Sequence, residues 1–121
     1  MASELRLTTL ANNAGPESVD TTYVINGSAK AWSIFDGSGT AAIGDSFAVT
    51  SLTDEGTGSY TTTFTNAFST SDYALPTSTR NNHMIGRYSH TTTTFRLENR
   101  VNGGTETDTP YVALSALGDL A

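Results

Sequence analysis

The chain carries no cysteine, one tryptophan and three prolines, and only 15% of its residues are charged. Without thiols there can be no disulfide, no thiolate metal site and no cysteine nucleophile. Basic residues are scarcer than acidic ones, 6 against 12, for a formal net charge of −6. They are also dispersed, at Arg6, Lys30, Arg80, Arg87, Arg96 and Arg100. A nucleic-acid backbone is held by a concentrated positive field, so nucleic acid is not an expected partner. No apolar run approaches the roughly 18 residues of a membrane-crossing helix, so no membrane is expected either. The opening MASELRLTTLANNAG lacks the basic-then-apolar order of a signal peptide. Synthesis in the cytoplasm is therefore expected, with any route out of the cell differing from ordinary secretion.

What fills the chain instead is Thr, Ser, Gly and Asn, and hydrophobic residues make up only 36% of it. Disordered chains combine high charge with few β-branched residues, whereas threonine is a strand former, so this balance points to a β-rich domain with a hydroxyl-covered surface. At 121 residues there is room for one domain with one core.

Local patterning agrees. SELRLTTL alternates Leu5 and Leu7 with Glu4 and Arg6 and fits a short strand with one apolar face. ANNAGPESVD reads as a linker or turn, and TTYVING as an apolar piece ending at Asn26-Gly27, with nothing helical about it. AKAWSIF is a strand running into the turn DGSG. DSFAVTSLT and SYTTTFTNAF, joined by DEGTG, form an antiparallel hairpin. Leu52 breaks the parity of Phe47 and Val49, which predicts either a β-bulge near Ser51 or a leucine facing a neighbouring subunit. DYALPTSTR, HMIGRYSH and TTFRLENRV each supply about one more strand. TPYVALSALGDLA is a strand to Leu114, with a tail that can extend or form a helical turn. The predicted fold is all-β, a single antiparallel sandwich or open barrel with little or no helix. Residues 1–24 are read as an N-terminal strand and attachment arm, with Leu5, Leu7 and Leu10 as its contacts, and residues 25–121 as the sandwich.

No coherent catalytic set emerges. Asp36-Gly37-Ser38-Gly39 lacks the alternating oxygens and distal Glu of a calcium loop and the Lys and helix of a phosphate loop, so it reads as a turn. His83 and His90 lie seven apart, which puts them on opposite faces of a regular strand unless a bulge intervenes. No ligand set surrounds them, and no metal or cofactor is expected. Asp54 and Glu55 sit together at a hairpin tip, where two carboxylates share one solvated environment and have no means of dividing acid from base. Among the aromatics, Trp32, Phe35, Phe47, Tyr60, Phe64 and Tyr73 are assigned to core or oligomer packing. His83, Arg87, Tyr88 and His90 are the candidates for a binding surface.

One longer pattern stands out. Ala-Lys-Ala-Trp at residues 29–32, Phe35 with Gly37, Gly39 and Thr40, Asp45 to Phe47, and then Asp54, Gly56, Gly58, Tyr60, Phe64 and Tyr73 occur in this order. Residues 25–75 thereby resemble a module of tail-fibre-like and other small virion proteins of tailed bacteriophages. The chain departs from that pattern at Gly44, where such modules usually have an arginine, and at Ser33-Ile34, where the apolar order is reversed. The resemblance implies a virion structural protein on a tail or short fibre, usually a homo-oligomer and often a homotrimer. It implies contacts with other virion proteins or a host-surface glycan, no enzymatic activity, and release from the host by lysis. Two rivals are a capsid decoration or head-fibre protein, and a small carbohydrate-binding domain using Trp32, Asp72, Tyr88 or His90.

Overall fold

Alternation in AWSIFD becomes a strand with two unlike faces: Ala31, Ser33 and Phe35 point into the core, while Trp32, Ile34 and Asp36 point away from it. This strand, Ala31–Asp36, is β3 of a computed structural model that describes residues 3–80, 82–102 and 104–121. Before it come β1 (Thr9–Ala11), β2 (Ser18–Asp20) and a short helix α1 (Thr21–Gly27). After it come β4 (Ala42–Phe47), β5 (Val49–Gly56), β6 (Ser59–Phe64), β7 (Thr77–Thr79), β8 (His83–His90), β9 (Thr94–Val101) and β10 (Val112–Ala116). Strands β3 to β10 form two four-stranded sheets, ordered β4-β3-β10-β7 and β5-β6-β9-β8, with every pairing antiparallel. The all-β sandwich expected from the composition is what forms.

Between the sheets lie Phe35, Tyr60, Phe64, Phe68, Phe95, Leu97, Val112 and Leu114, closed by Ala31 and Ala116. Phe35 meets Tyr60 edge-on at 5.2 Å between ring centres, and Phe64 meets Phe68 at 5.4 Å. These large rings let a chain poor in aliphatic residues fill its interior. Two buried hydroxyls, Ser33 Oγ and Thr62 Oγ1, make no hydrogen bond among the described residues. Replacing an unmatched buried hydroxyl by a methyl of the same shape removes a desolvation cost. Thr62→Val is therefore expected to raise stability by about 1 kcal/mol in a urea titration, with an unchanged denaturant slope.

Several local expectations are corrected. DSFAVTSLT is not one strand, because Ala48, at φ 54°, turns the chain from one sheet to the other. Phe47 consequently pairs with Trp32 on β3, and the hairpin is Val49–Gly56 with Ser59–Phe64. The bulge expected near Ser51 is present: the register shifts between Val49 and Ser51, returning Leu52 to the inner face opposite Thr62. The N-terminal strand is Thr9–Ala11 rather than SELRLTTL, and it pairs with Ser18–Asp20. TTYVING is helical, contrary to its reading as an extended piece. Asp20 caps it by accepting from the Thr22 amide at 2.7 Å, and Lys30 Nζ donates to the Ile25 and Ser28 carbonyls at its end. Capping at both ends outweighs the poor helix propensity of Thr, Val and Ile. The C-terminal tail is extended, with Leu117 bridging Ala74 and Leu120 bridging Phe68.

Candidate functional site

Three features lie outside the ordinary packing of the sandwich. The first is the outer face of the β4-β3-β10-β7 sheet. Trp32 sits opposite Phe47, and Ile34 lies between Asp45 and Ala113. Phe47 is 55% exposed, Ile34 40%, and Trp32 half-buried. Trp32, Ile34 and Ala113, together with Pro76, Ser78 and Ser115, border a shallow depression of about 330 Å³. The other sheet presents Thr53, Thr61, Thr63, Arg96, Glu98 and Arg100 outward, together with exposed Met84 and Tyr88 on its edge strand. Trp32 and Phe47 therefore do not belong to the core, whereas Phe35, Tyr60 and Phe64 do and Tyr73 borders it. Ile34 was missed, although the signal was present: β3 carries large apolar residues in both parities, the pattern of a strand covered on both faces.

The second feature is the segment ahead of the sandwich. Residues 3–29 are exposed throughout, apart from half-buried Thr21. Leu5, Leu7, Leu10, Val24 and Ile25 border an open hollow of about 430 Å³, with Val19 and Tyr23 also exposed. The three leucines assigned to attachment are thus at the surface. Tyr23, Val24 and Ile25 join them because α1 winds what would otherwise be an alternating strand.

The third is a cleft of about 220 Å³ between β7 and β8, bordered by Tyr73, Leu75, Thr77, Ile85, Arg87, His90 and Phe95. A bulge is the reason it is charged. Arg87 pairs with Leu97, but Ser89 pairs with Arg96 and His90 with Phe95, so the extra residue, Tyr88, leaves Arg87 and His90 on the same face. That bulge also puts His83 and His90 on one face, the exception to the opposite-face placement of a regular strand. His83 is nonetheless remote in function, its Nδ1 held by the Asn99 amide at 2.8 Å. Tyr88 points outward with the Arg96 guanidinium 4.5 Å above its ring. The four residues proposed as one surface therefore divide: Arg87 and His90 share the cleft, while His83 and Tyr88 lie elsewhere.

Tyr73 forms the cleft's aromatic wall, its ring stacked on Phe68 at 4.4 Å and edge-on to His90 at 6.0 Å. Its hydroxyl lies within hydrogen-bonding reach of the Thr91 and Thr94 carbonyls, at 3.0 and 3.1 Å. Burial pushes this phenol up to about 12, against the opposing pull of the nearby Arg87 charge. It stays protonated, a donor committed to the protein.

At the other end of the sandwich, Gly37 and Gly58 complete the structure rather than a ligand loop. Asp36 accepts from the Ser38 amide at 2.8 Å, an Asx turn, and the Tyr60 hydroxyl donates to the Gly37 carbonyl at 2.8 Å. A Cβ on Gly37 would fall on that hydroxyl. Burial, with the Asp108 carboxylate 3.1 Å away, raises the Tyr60 phenol well above its ordinary range. Asp54 and Glu55 hold neighbouring groups, the amides of Ala41 and Gly56 and the hydroxyl of Thr61. No group of three His, Cys, Asp or Glu residues suited to a metal occurs among the described residues. Comparisons with family models, with curated proteins and with solved structures find no match to the chain.

Proposed function

We propose that the chain is a structural component of a bacteriophage virion, a homo-oligomeric, tail-fibre-like or tail-tip protein that attaches to other virion proteins or to the host surface. The observation that carries this reading is the pair of apolar surfaces the chain does not cover itself: the hollow of residues 3–29 and the Trp32, Ile34, Phe47 face. Monomeric proteins rarely leave large contiguous apolar patches in water, and such patches mark interaction sites. A second copy of the chain is the occupant that fits, because β3 has the two-faced apolar pattern of a strand buried on both sides. Two different surfaces meeting between copies make a head-to-tail contact, which gives a ring such as a trimer where the rotation between copies closes. The likeness of residues 25–75 to tail-fibre-like modules supports the placement in a virion. In this reading the protein binds and assembles and has no catalytic role.

Native mass spectrometry at micromolar concentration is expected to give a closed oligomer for the full chain. Removal of residues 1–28 is expected to yield a folded monomer with the same far-ultraviolet spectrum of a β protein. A full chain that stays monomeric, or absence of the protein from purified particles, would overturn the proposal. Copy number separates the tail position from the rival place on a capsid: a few per particle for a tail tip, tens to hundreds for a decoration protein.

A further inference from the structure

We propose that the cleft between β7 and β8 is a binding site for the carboxylate group of a small ligand, received by Arg87 with His90 beside it. The site is separate from the apolar surfaces of the assembly reading and does not depend on them.

The placement of charge is the starting point. The chain has twelve acidic residues, and Arg6 and Arg100 each hold a carboxylate, Glu4 for the first and Glu98 and Glu106 for the second. Arg96 is occupied by the Ser59 hydroxyl and the Tyr88 ring. Arg87, by contrast, has no carboxylate within 4.0 Å among the described residues, and its side-chain hydrogen bond is a 3.4 Å contact from Nη1 to His90 Nε2. A guanidinium has five N–H donors and no acceptor, so most of the fork is uncommitted.

Arg87 borders the cleft while its residue stays solvent-exposed, and a charge on an edge strand is also a known guard against edge-to-edge pairing. That role accounts for one charge on β8. It does not account for the bulge at Tyr88, which brings His90 round to the same face, or for a cavity opening beside both.

The chemistry of the walls selects the ligand. One planar fork matches the two oxygens of a carboxylate, whereas a phosphate dianion calls for several cations or amides that this acidic chain does not gather here. Leu75, Ile85, Phe95 and the ring of Tyr73 offer apolar contact to the carbon body, and Thr77 offers a hydroxyl. The cavity of about 220 Å³ is below the range of drug-sized ligands, so the occupant is one small ring or a chain of a few carbons. Two sources have this chemistry, an acidic sugar residue and a simple organic acid.

Titration of ¹⁵N-labelled full chain with D-glucuronate and with benzoate, followed by amide shifts of Thr77, Arg87 and His90, distinguishes the sources. D-Glucose and benzamide serve as uncharged counterparts, and inorganic phosphate as the competing anion. Saturable shifts are expected with at least one of the two acids and not with its uncharged counterpart; whichever acid binds identifies the source. Arg87→Gln is expected to weaken that binding about tenfold or more, and Arg80→Gln, an exposed arginine outside the cleft, to leave it unchanged. Arg87→Lys keeps the charge without the fork and should fall between them, which covers the case of a poorly folded Gln variant. The assignment is overturned if neither acid binds at tens of millimolar, if each binds no better than its uncharged counterpart, if phosphate binds more tightly than both acids, or if the Arg87 variants bind like the unsubstituted chain.

Discussion

Gly58→Ala is expected to cost about 3 kcal/mol or more, enough to lower the melting temperature by roughly 10 °C. Gly58 has a φ of +69°, a conformation that costs a residue with a Cβ about 1 to 2 kcal/mol. The larger part is steric. A Cβ here would come within 2.6 Å of the Thr107 amide nitrogen and 2.7 Å of the Asn99 carbonyl oxygen, both backbone atoms that cannot rotate away. Those atoms belong to the joint where the 105–109 segment is laid onto β9, for Asn99 donates its amide to the Gly58 carbonyl and accepts from that of Thr107. Gly39→Ala is the control: its φ is +63° but nothing lies within 4 Å, so only the conformational cost of about 1 to 2 kcal/mol remains. Parallel urea titrations would decide, and equal losses at the two positions would refute the close approach.

Asn99→Ala is expected to lose about 3 kcal/mol, because Asn99 is fully buried and every polar atom of its side chain is engaged. Its Oδ1 accepts from the Thr79 hydroxyl at 3.1 Å, and its Nδ2 donates to His83 Nδ1 at 2.8 Å and to the Thr107 carbonyl at 2.6 Å. One amide thus ties β7, β8 and the 105–109 segment to β9. Truncation takes a donor from the half-buried His83 ring and Thr107 carbonyl, leaves the Thr79 hydroxyl its contact with the Tyr111 carbonyl, and opens a void. Thr79→Val should cost about 1 kcal/mol, and the double variant less than the sum of the two, as expected of groups in direct contact. Additive losses in denaturant titrations would show that the two residues act separately.

Much of this architecture was legible because its signals are local. The two glycines of DEGTG and the flanking alternation identify the β5-β6 hairpin, and the parity break at Leu52 foretells its bulge. The helix at Thr21–Gly27 escaped notice because it depends on Asp20 and on Lys30, a side chain reaching back to the carbonyls of Ile25 and Ser28. Phe47 was assigned to the hairpin because nothing about Ala48 signals a positive φ; the turn is imposed where the chain crosses between sheets. Of the four residues suggested for a binding surface, two share a cleft, and the bulge that decides this is invisible in HMIGRYSH.

By itself the sequence determined the class of the fold, the lack of thiol chemistry and the existence of the β5-β6 hairpin with its bulge, since each follows from composition or from a period-two pattern carried by adjacent residues. Only the tertiary structure decided which of two apolar faces of β3 becomes core and which stays at the surface. It alone brought Gly58 against Asn99 and Thr107, and turned Arg87 and His90 into one cleft. Those outcomes depend on contacts between residues far apart in the chain and on one-residue register shifts, and a register shift reverses every side chain beyond it.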